Sequence, residues 1–204
     1  MKHRLGILLS GCGALDGTDP HEAVLVMLAA EEAGFEVVPL AMGGPQMHVV
    51  DHTTAQEAAG QARQMLQESS RLVRGKIHLV EEIAPKLLEA LVIPGGQGPV
   101  KSFFSDLSTA SGRVVVPDLA EFIRNVHLAG GIVAAISLAE FIVSDVLGPW
   151  PEGKGCFDIP PEGVLVDEEG RKILAPGYTA VASLPQLYAG MKNLAAAIHK
   201  LLPE

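Results

Sequence analysis

Cysteine, aromatic residues, positive charge and long apolar runs are all scarce in this 204-residue chain. The two cysteines, Cys12 and Cys156, give neither a disulfide framework nor a metal-binding spacing, so reduced thiols in a cytoplasm are the expectation. No apolar run approaches the ~18 to 20 residues of a membrane span. Lysine and arginine number 15 against 24 aspartates and glutamates, a net charge of -9. Nucleic acid phosphates would repel such a chain, which excludes that class of partner. Repeats, linkers and low-complexity segments are missing too. With 48% hydrophobic content the chain suffices for one well-buried domain and is too short for two, so residues 1–204 read as a single domain.

What is present is an alternation of short apolar runs with longer helical patterns, the signature of a mainly parallel sheet with helices on both faces. Strands are predicted at Arg4 to Ser10, Phe35 to Leu40, Ile77 to Val80, Leu91 to Ile93 and Gly131 to Ile136. They are continuous apolar runs, as expected of strands covered on both sides. A first helix is well punctuated: Asp19-Pro20-His21-Glu22 offers an N-cap, a proline at the first helical position and a glutamate at N3, and Gly34 closes it. Further helices are predicted at Thr54 to Arg74, Pro117 to Leu128, Leu138 to Leu147 and Leu184 to Leu202. A hairpin turning at Glu169-Gly170 precedes the last of them.

The opening stretch RLGILLSGCGALDGTDPHEA admits three readings. Leu9-Ser10-Gly11-Cys12 has the look of a lipobox, but the apolar run Leu5 to Leu9 falls short of the ~7 to 15 residues of a secretory signal, so Cys12 is expected to be uncleaved and unlipidated. Gly11, Gly13 and Gly17 lack the G-x-G-x-x-G spacing of a phosphate cradle, and no acidic residue is placed for a ribose. The third reading has the strand deliver Cys12 to the edge of a pocket. Pockets in open sheets form at the carboxyl ends of strands. Three turns therefore matter: Gly11 to Gly17, IPGGQG from Ile93 to Gly98, and AISLA from Ala135 to Ala139. The last has the form of a nucleophile elbow around Ser137, with small residues two positions to each side. On spacing alone a serine capping a helix is the simpler reading.

Taken in order, SGCGALDGTDPHEA, DHTT, RGKI, LVIPGGQGPVK and the AIS turn resemble the ElbB family of the class I glutamine amidotransferase-like superfamily, along most of the chain. That superfamily includes the PfpI-type proteases and the parkinsonism-associated deglycases; ElbB is known as an isoprenoid-biosynthesis-associated protein and a glyoxalase. The resemblance implies a flavodoxin-like three-layer α/β sandwich, a homodimer and a pocket for a small carbonyl or polar metabolite. It assigns the first-helix glutamate to Glu22, the first-loop cysteine to Cys12, the backbone facing a reacting carbonyl to Gly95 and Gly96, and the elbow nucleophile to Ser137, where the family has cysteine. The segment Gly148 to Gly155 is shorter than in ElbB-like proteins, so a pocket wall or part of a subunit contact is expected to be missing.

A cysteine at a helix N-terminus is activated by backbone N–H groups and the dipole, whereas a serine hydroxyl needs a positioned base, normally histidine. The residue after the elbow, where PfpI-type relatives place a histidine, is Leu138, whose backbone would complete the oxyanion site. Thiolate chemistry on an aldehyde is therefore expected to be lost or much reduced, leaving a binding or regulatory role. The alternatives are an active glyoxalase or hydrolase using Ser137 or Cys12 with Glu22, and a structural oligomer component. Cys12 otherwise reads as a small packing residue, Glu22 as an N3 cap, and Lys101 as either an anion-binding or an exposed lysine. His48-x-x-x-His52 with Asp51 is the best metal pair, but a zinc site needs three or four ligands, and neither metal nor cofactor is expected.

Overall fold

A computed structural model describes residues 2–106, 113–181 and 183–203. A seven-stranded sheet runs through its middle. It comprises β1 (Arg4–Leu9), β2 (Glu36–Ala41), β5 (His78–Leu79), β6 (Ala90–Ile93), β9 (Ile132–Ile136), β10 (Leu165–Asp167) and β11 (Lys172–Ala175). Their order is β10-β11-β9-β6-β1-β2-β5. Every pair is parallel except the hairpin β10–β11. This is the flavodoxin-like α/β architecture expected from the sequence.

The central strands β6 and β9 are apolar throughout, and β1 is apolar after Arg4, because both faces are covered. Leu5, Ile7 and Leu9 pack with Val26 and Ala30 of α1 (Pro20–Glu32) and with Leu187, Met191 and Leu194 of α6 (Leu184–Leu201). Leu8, Leu91 and Ile93 pack on the other face with Leu119 and Ile123 of α4 (Pro117–Leu128) and Ile142 and Val143 of α5 (Glu140–Leu147). Helix α1 begins as the sequence predicts: the Asp19 carboxylate accepts from the N–H groups of His21 at 2.9 Å and Glu22 at 3.1 Å. Gly34 follows its end at φ +91°.

The predicted helix over Thr54 to Arg74 is wrong over its first half. Only α2 (Met65–Leu72) forms. The preceding residues instead make a small hairpin, β3 (Val50–Asp51) with β4 (Gln56–Glu57). Its turn is set by Asp51, whose Oδ1 accepts from both the N–H and the hydroxyl of Thr53. Ala55 and Gly60 at positive φ then break any helical run. The predicted strand ending at Val80 stops at Leu79, and a short α3 (Gly98–Ser102) and a second small hairpin, β7 (Phe104–Asp106) with β8 (Val114–Val115), carried no legible signal.

The segment 148–155 closes on the core. Trp150 is buried, and the Lys172 ammonium, itself 3% exposed, donates to the carbonyls of Gly148 at 3.1 Å and Pro149 at 2.8 Å. Asp167 lies 3.3 Å from the same ammonium. Lys172→Ala removes the cation from a largely buried pair and leaves two carbonyls without a donor. It should lower unfolding stability by about 2–4 kcal/mol, measured by urea denaturation; a loss within experimental error would show that the segment holds without this lysine.

Candidate functional site

Adjacent strands β1, β6 and β9 end side by side, and the three turns that leave them meet there. The first loop is stitched to the second turn by backbone bonds: Asp19 N–H to Gly95 O, Gln97 N–H to Ala14 O and Gly98 N–H to Gly17 O. Contact is so close that a Cβ on Gly96, which has φ +88°, would lie 2.6 Å from both Asp19 N and Gly17 O. Lys101 completes the clamp, donating from Nζ to Leu15 O at 2.7 Å. The expected anion-binding lysine thus holds the first loop, because its charge is already directed at a carbonyl.

Ser137 follows β9 directly and adopts φ +54°, the left-handed region that a non-glycine residue rarely enters. A 3₁₀ turn (Ser137–Ala139) leads from it into α5. No side-chain cap is made at either helical start, so the capping role that spacing favoured is overturned. The strained strand-to-helix turn is an elbow. Ser137 is 5% exposed, and its hydroxyl makes no hydrogen bond among the described residues.

Glu22 reaches the same place from α1. Its Oε2 accepts from Gly95 N–H at 2.8 Å and its Oε1 from Tyr178 N–H at 2.9 Å. A Cβ on Gly95 would stand 2.7 Å from both Glu22 Oε2 and Ser137 Cβ, so carboxyl and elbow share one glycine surface. Burial pushes the Glu22 pKa up to about 7, with the Asp19 charge adding to the rise while the two N–H donors oppose it. The Gly95 N–H is committed to Glu22 and is not free for a substrate oxyanion, which corrects one of the expected donors. Gly96 N–H has no acceptor among the described residues, and Leu138 N–H opens the turn after Ser137, where first-turn donors are normally unpaired.

Cys12 is not brought into this group. The charges acting on its thiol are Glu68, Arg71, Asp16 and Arg63, on the side of α2, and burial foremost raises its pKa. Cys156 is buried, its thiol pushed by burial to about 11. His52 lies in the β3 hairpin region, not on a helix with His48: its Nδ1 faces Val50 O at 3.1 Å and its Nε2 accepts from Leu15 N–H at 3.2 Å. Among the described residues no group of three or more histidine, cysteine, aspartate or glutamate side chains is placed to hold a metal. Tyr178 and Gly177 were missed from sequence. The PG of APGY marks a turn, but nothing local says that it lands on Glu22, where any Cβ at Gly177 would collide with the carboxylate.

No family model matches the chain. It is 27% identical over 223 residues to a human protein named glutamine amidotransferase-like class 1 domain-containing protein 3, mitochondrial, covering 98% of this chain and 82% of that one. A crystal structure of an isoprenoid biosynthesis protein with an amidotransferase-like domain from Ehrlichia chaffeensis superposes with a TM-score of 0.88 at 27% identity, covering 98% of this chain and 100% of the other. Both place the chain's relatives among the class I glutamine amidotransferase-like proteins, along nearly its whole length. A DJ-1 superfamily protein from Salmonella typhimurium, 18% identical with a TM-score of 0.54 over 98% of this chain and 95% of its own, shares the amidotransferase-like fold. The human relative is named as mitochondrial, which gives no support to a cytoplasmic location. Among the described residues no helix is long and apolar enough to cross a membrane.

The raised pKa of Glu22 links folding stability to pH. Between its ordinary value of 4.5 and about 7 the folded protein holds a proton that the unfolded chain has released. The stabilisation is complete below the lower value and is lost as pH rises through the upper one. The loss is on the order of 3 kcal/mol. Urea denaturation should show native protein losing stability from acid to alkaline buffer relative to Glu22→Gln, whose amide does not titrate; parallel pH profiles would contradict the raised pKa.

Proposed function

We propose an ElbB-like small-molecule pocket protein in which Ser137 stands where the family has its nucleophilic cysteine, and in which glyoxalase-type chemistry is lost or much reduced. The observation that carries this reading is a hydroxyl on a strained elbow that shares the Gly95 surface with a buried glutamate and makes no hydrogen bond among the described residues. A thiol there would become a thiolate with help from helix-terminal N–H groups, and a glutamic acid titrating at about 7 would be a fitting proton partner for it. A serine hydroxyl gains little from the same surroundings. Its base would have to be Glu22, both of whose oxygens are already bonded to backbone N–H groups. No histidine follows the elbow, and Cys12 has a raised pKa on another side of the loop. A small carbonyl or polar metabolite remains the ligand class that this reading favours, with Gly96 and Leu138 N–H as donors to its oxygen.

Native protein should leave methylglyoxal essentially unturned. Ser137→Cys should create a thiol that iodoacetamide alkylates at least about tenfold faster at neutral pH than Cys12 or Cys156, because only the new thiol gains the helix-terminal N–H groups. Mass-mapped alkylation rates test this. Native turnover that disappears in Ser137→Ala would instead establish an active serine enzyme. A new cysteine no more reactive than Cys156 would remove Ser137 from the site.

We further infer a homodimer through the outer face of α1. Val24 and Leu28 are 47% and 42% exposed, and together with Met27, Val37, Leu72 and Val73 they line an apolar groove. A helix apolar on both sides is ordinarily buried on both. Glu31, Arg74 and Lys76 edge the groove without an ion pair among the described residues, so a two-fold axis could set acid against base from either copy. Light scattering should give a dimer mass for native protein, a monomer for Leu28→Glu, and a dimer for Leu128→Glu on the distant α4. A native monomer would refute the dimer.

A further inference from the structure

Glu140, the first residue of α5, is 5% exposed. Its Oε2 accepts from Cys156 N–H at 2.6 Å, yet no lysine, arginine or histidine lies within ion-pairing distance of its carboxylate among the described residues. Nearby cations are committed elsewhere: Lys154 to Glu152 at 2.7 Å, Arg113 to Asp145 at 3.1 Å and Lys172 to Asp167 at 3.3 Å. A buried carboxylate without a counter-charge is costly, and such groups are normally paired.

The segment 148–155 curls over this carboxylate and leaves a cleft of about 250 Å³ lined by Glu140, Phe141, Pro149, Trp150, Lys154 and Gly155. Its walls are mostly apolar. Three backbone positions at positive φ, Gly148, Glu152 and Gly153, fix the path of the segment. A Cβ at Gly155 would stand 3.0 Å from Glu140 Oε2 and 3.2 Å from Oε1, so glycine there keeps the carboxylate uncrowded. A buried acid, an aromatic wall and a fragment-sized space form a consistent recognition set.

We propose that this cleft binds a small organic ammonium ion, its charged nitrogen paired with Glu140 and its short apolar chain lying along Trp150 and Pro149. The site is separate from Ser137 and Glu22 and does not depend on the function proposed for them. Selectivity follows from the chemistry: an isosteric alcohol gains the apolar contact but not the charge, and an isosteric carboxylate is repelled.

Trp150 is the chain's single tryptophan, so intrinsic indole fluorescence reports on this cleft alone. Native protein titrated with n-butylammonium chloride at constant ionic strength should show a saturable change. n-Butanol should bind at least about tenfold more weakly, a difference of ~1.4 kcal/mol, and butyrate should give no saturation. Glu140→Gln, which can still accept from Cys156 N–H, should lose at least about tenfold in butylammonium affinity. Three results would each overturn the proposal: no saturable change with butylammonium up to ~50 mM, equal affinity for butanol, or undiminished binding in Glu140→Gln. Should that variant fail to fold, the discrimination between butylammonium and butanol by native protein decides alone.

Discussion

The carboxyl of Glu22 is the point on which the strand ends depend. It belongs to the first helix, but its two partners come from far along the chain, Gly95 after β6 and Tyr178 after β11. Each N–H would otherwise be an unpaired donor in a buried place, so the carboxyl satisfies two distant segments at once. The same contact dictates glycine at two positions, because a Cβ at Gly95 or Gly177 would collide with it. Gly95 in turn lets the Ser137 Cβ come close. One side chain thereby fixes the separation of three turns that have no sequence in common.

The opposing effects on that carboxyl are unequal, and their order decides its chemistry. Two N–H donors favour the anion, as they do at any helix N-terminus. Complete burial removes water from both oxygens and outweighs them, and the negative charge of Asp19 adds to the rise. Asp19 is itself engaged in capping α1, so the residue that starts the helix also helps keep Glu22 protonated. A group balanced near neutrality can hold a proton for a sulfur anion or take one up from a weak acid. Against an alcohol it is far less suited, since it must remove a proton from a much weaker acid while each oxygen already accepts a backbone N–H. The surroundings therefore suit a thiolate better than the hydroxyl they contain.

Much of this was legible in the chain. The strands stand out as apolar runs because both faces are covered, and α1 announces itself through Asp19, Pro20 and Gly34. Glu22 was singled out by the family resemblance, since a glutamate at N3 suits a helix cap as well as a pocket. Ser137 was ambiguous, since a left-handed φ is imposed by the tertiary fold and leaves no mark on a serine. Tyr178 was out of reach for a different reason. Its contribution is a backbone N–H, which every residue but proline carries, supplied across 156 residues of sequence separation. The false helix over Thr54 to Arg74 failed in its first half, where Asp51 Oδ1 accepts from Thr53 N–H, Thr54 Oγ1 accepts from Gln56 N–H, and short polar side chains so offer the backbone a turn instead. Cys12 misled because a strand end has two sides, and periodicity does not say which way a loop residue turns.

The strain at Ser137 bears on whether the elbow is a site or an accident of folding. A non-glycine residue in the left-handed region costs roughly 1–2 kcal/mol, and glycine would occupy it at less cost. Nothing local offsets that strain among the described residues, where the hydroxyl caps no helix and makes no hydrogen bond. Such a conformation persists only where the surroundings over-determine it. Here they do, because β9 is buried along its whole length, Ala135 and Ala139 are fully enclosed on either side, and Ile142 and Val143 anchor the following helix in the core. The fold consequently holds residue 137 in one orientation whatever its side chain, with the first N–H groups of the next turn behind it and the Glu22 carboxyl across the Gly95 surface. An orientation maintained at a cost, with Ser137 Cβ and the Glu22 carboxyl meeting the same Gly95 surface, is not explained by packing alone, which a glycine at position 137 would satisfy with less strain.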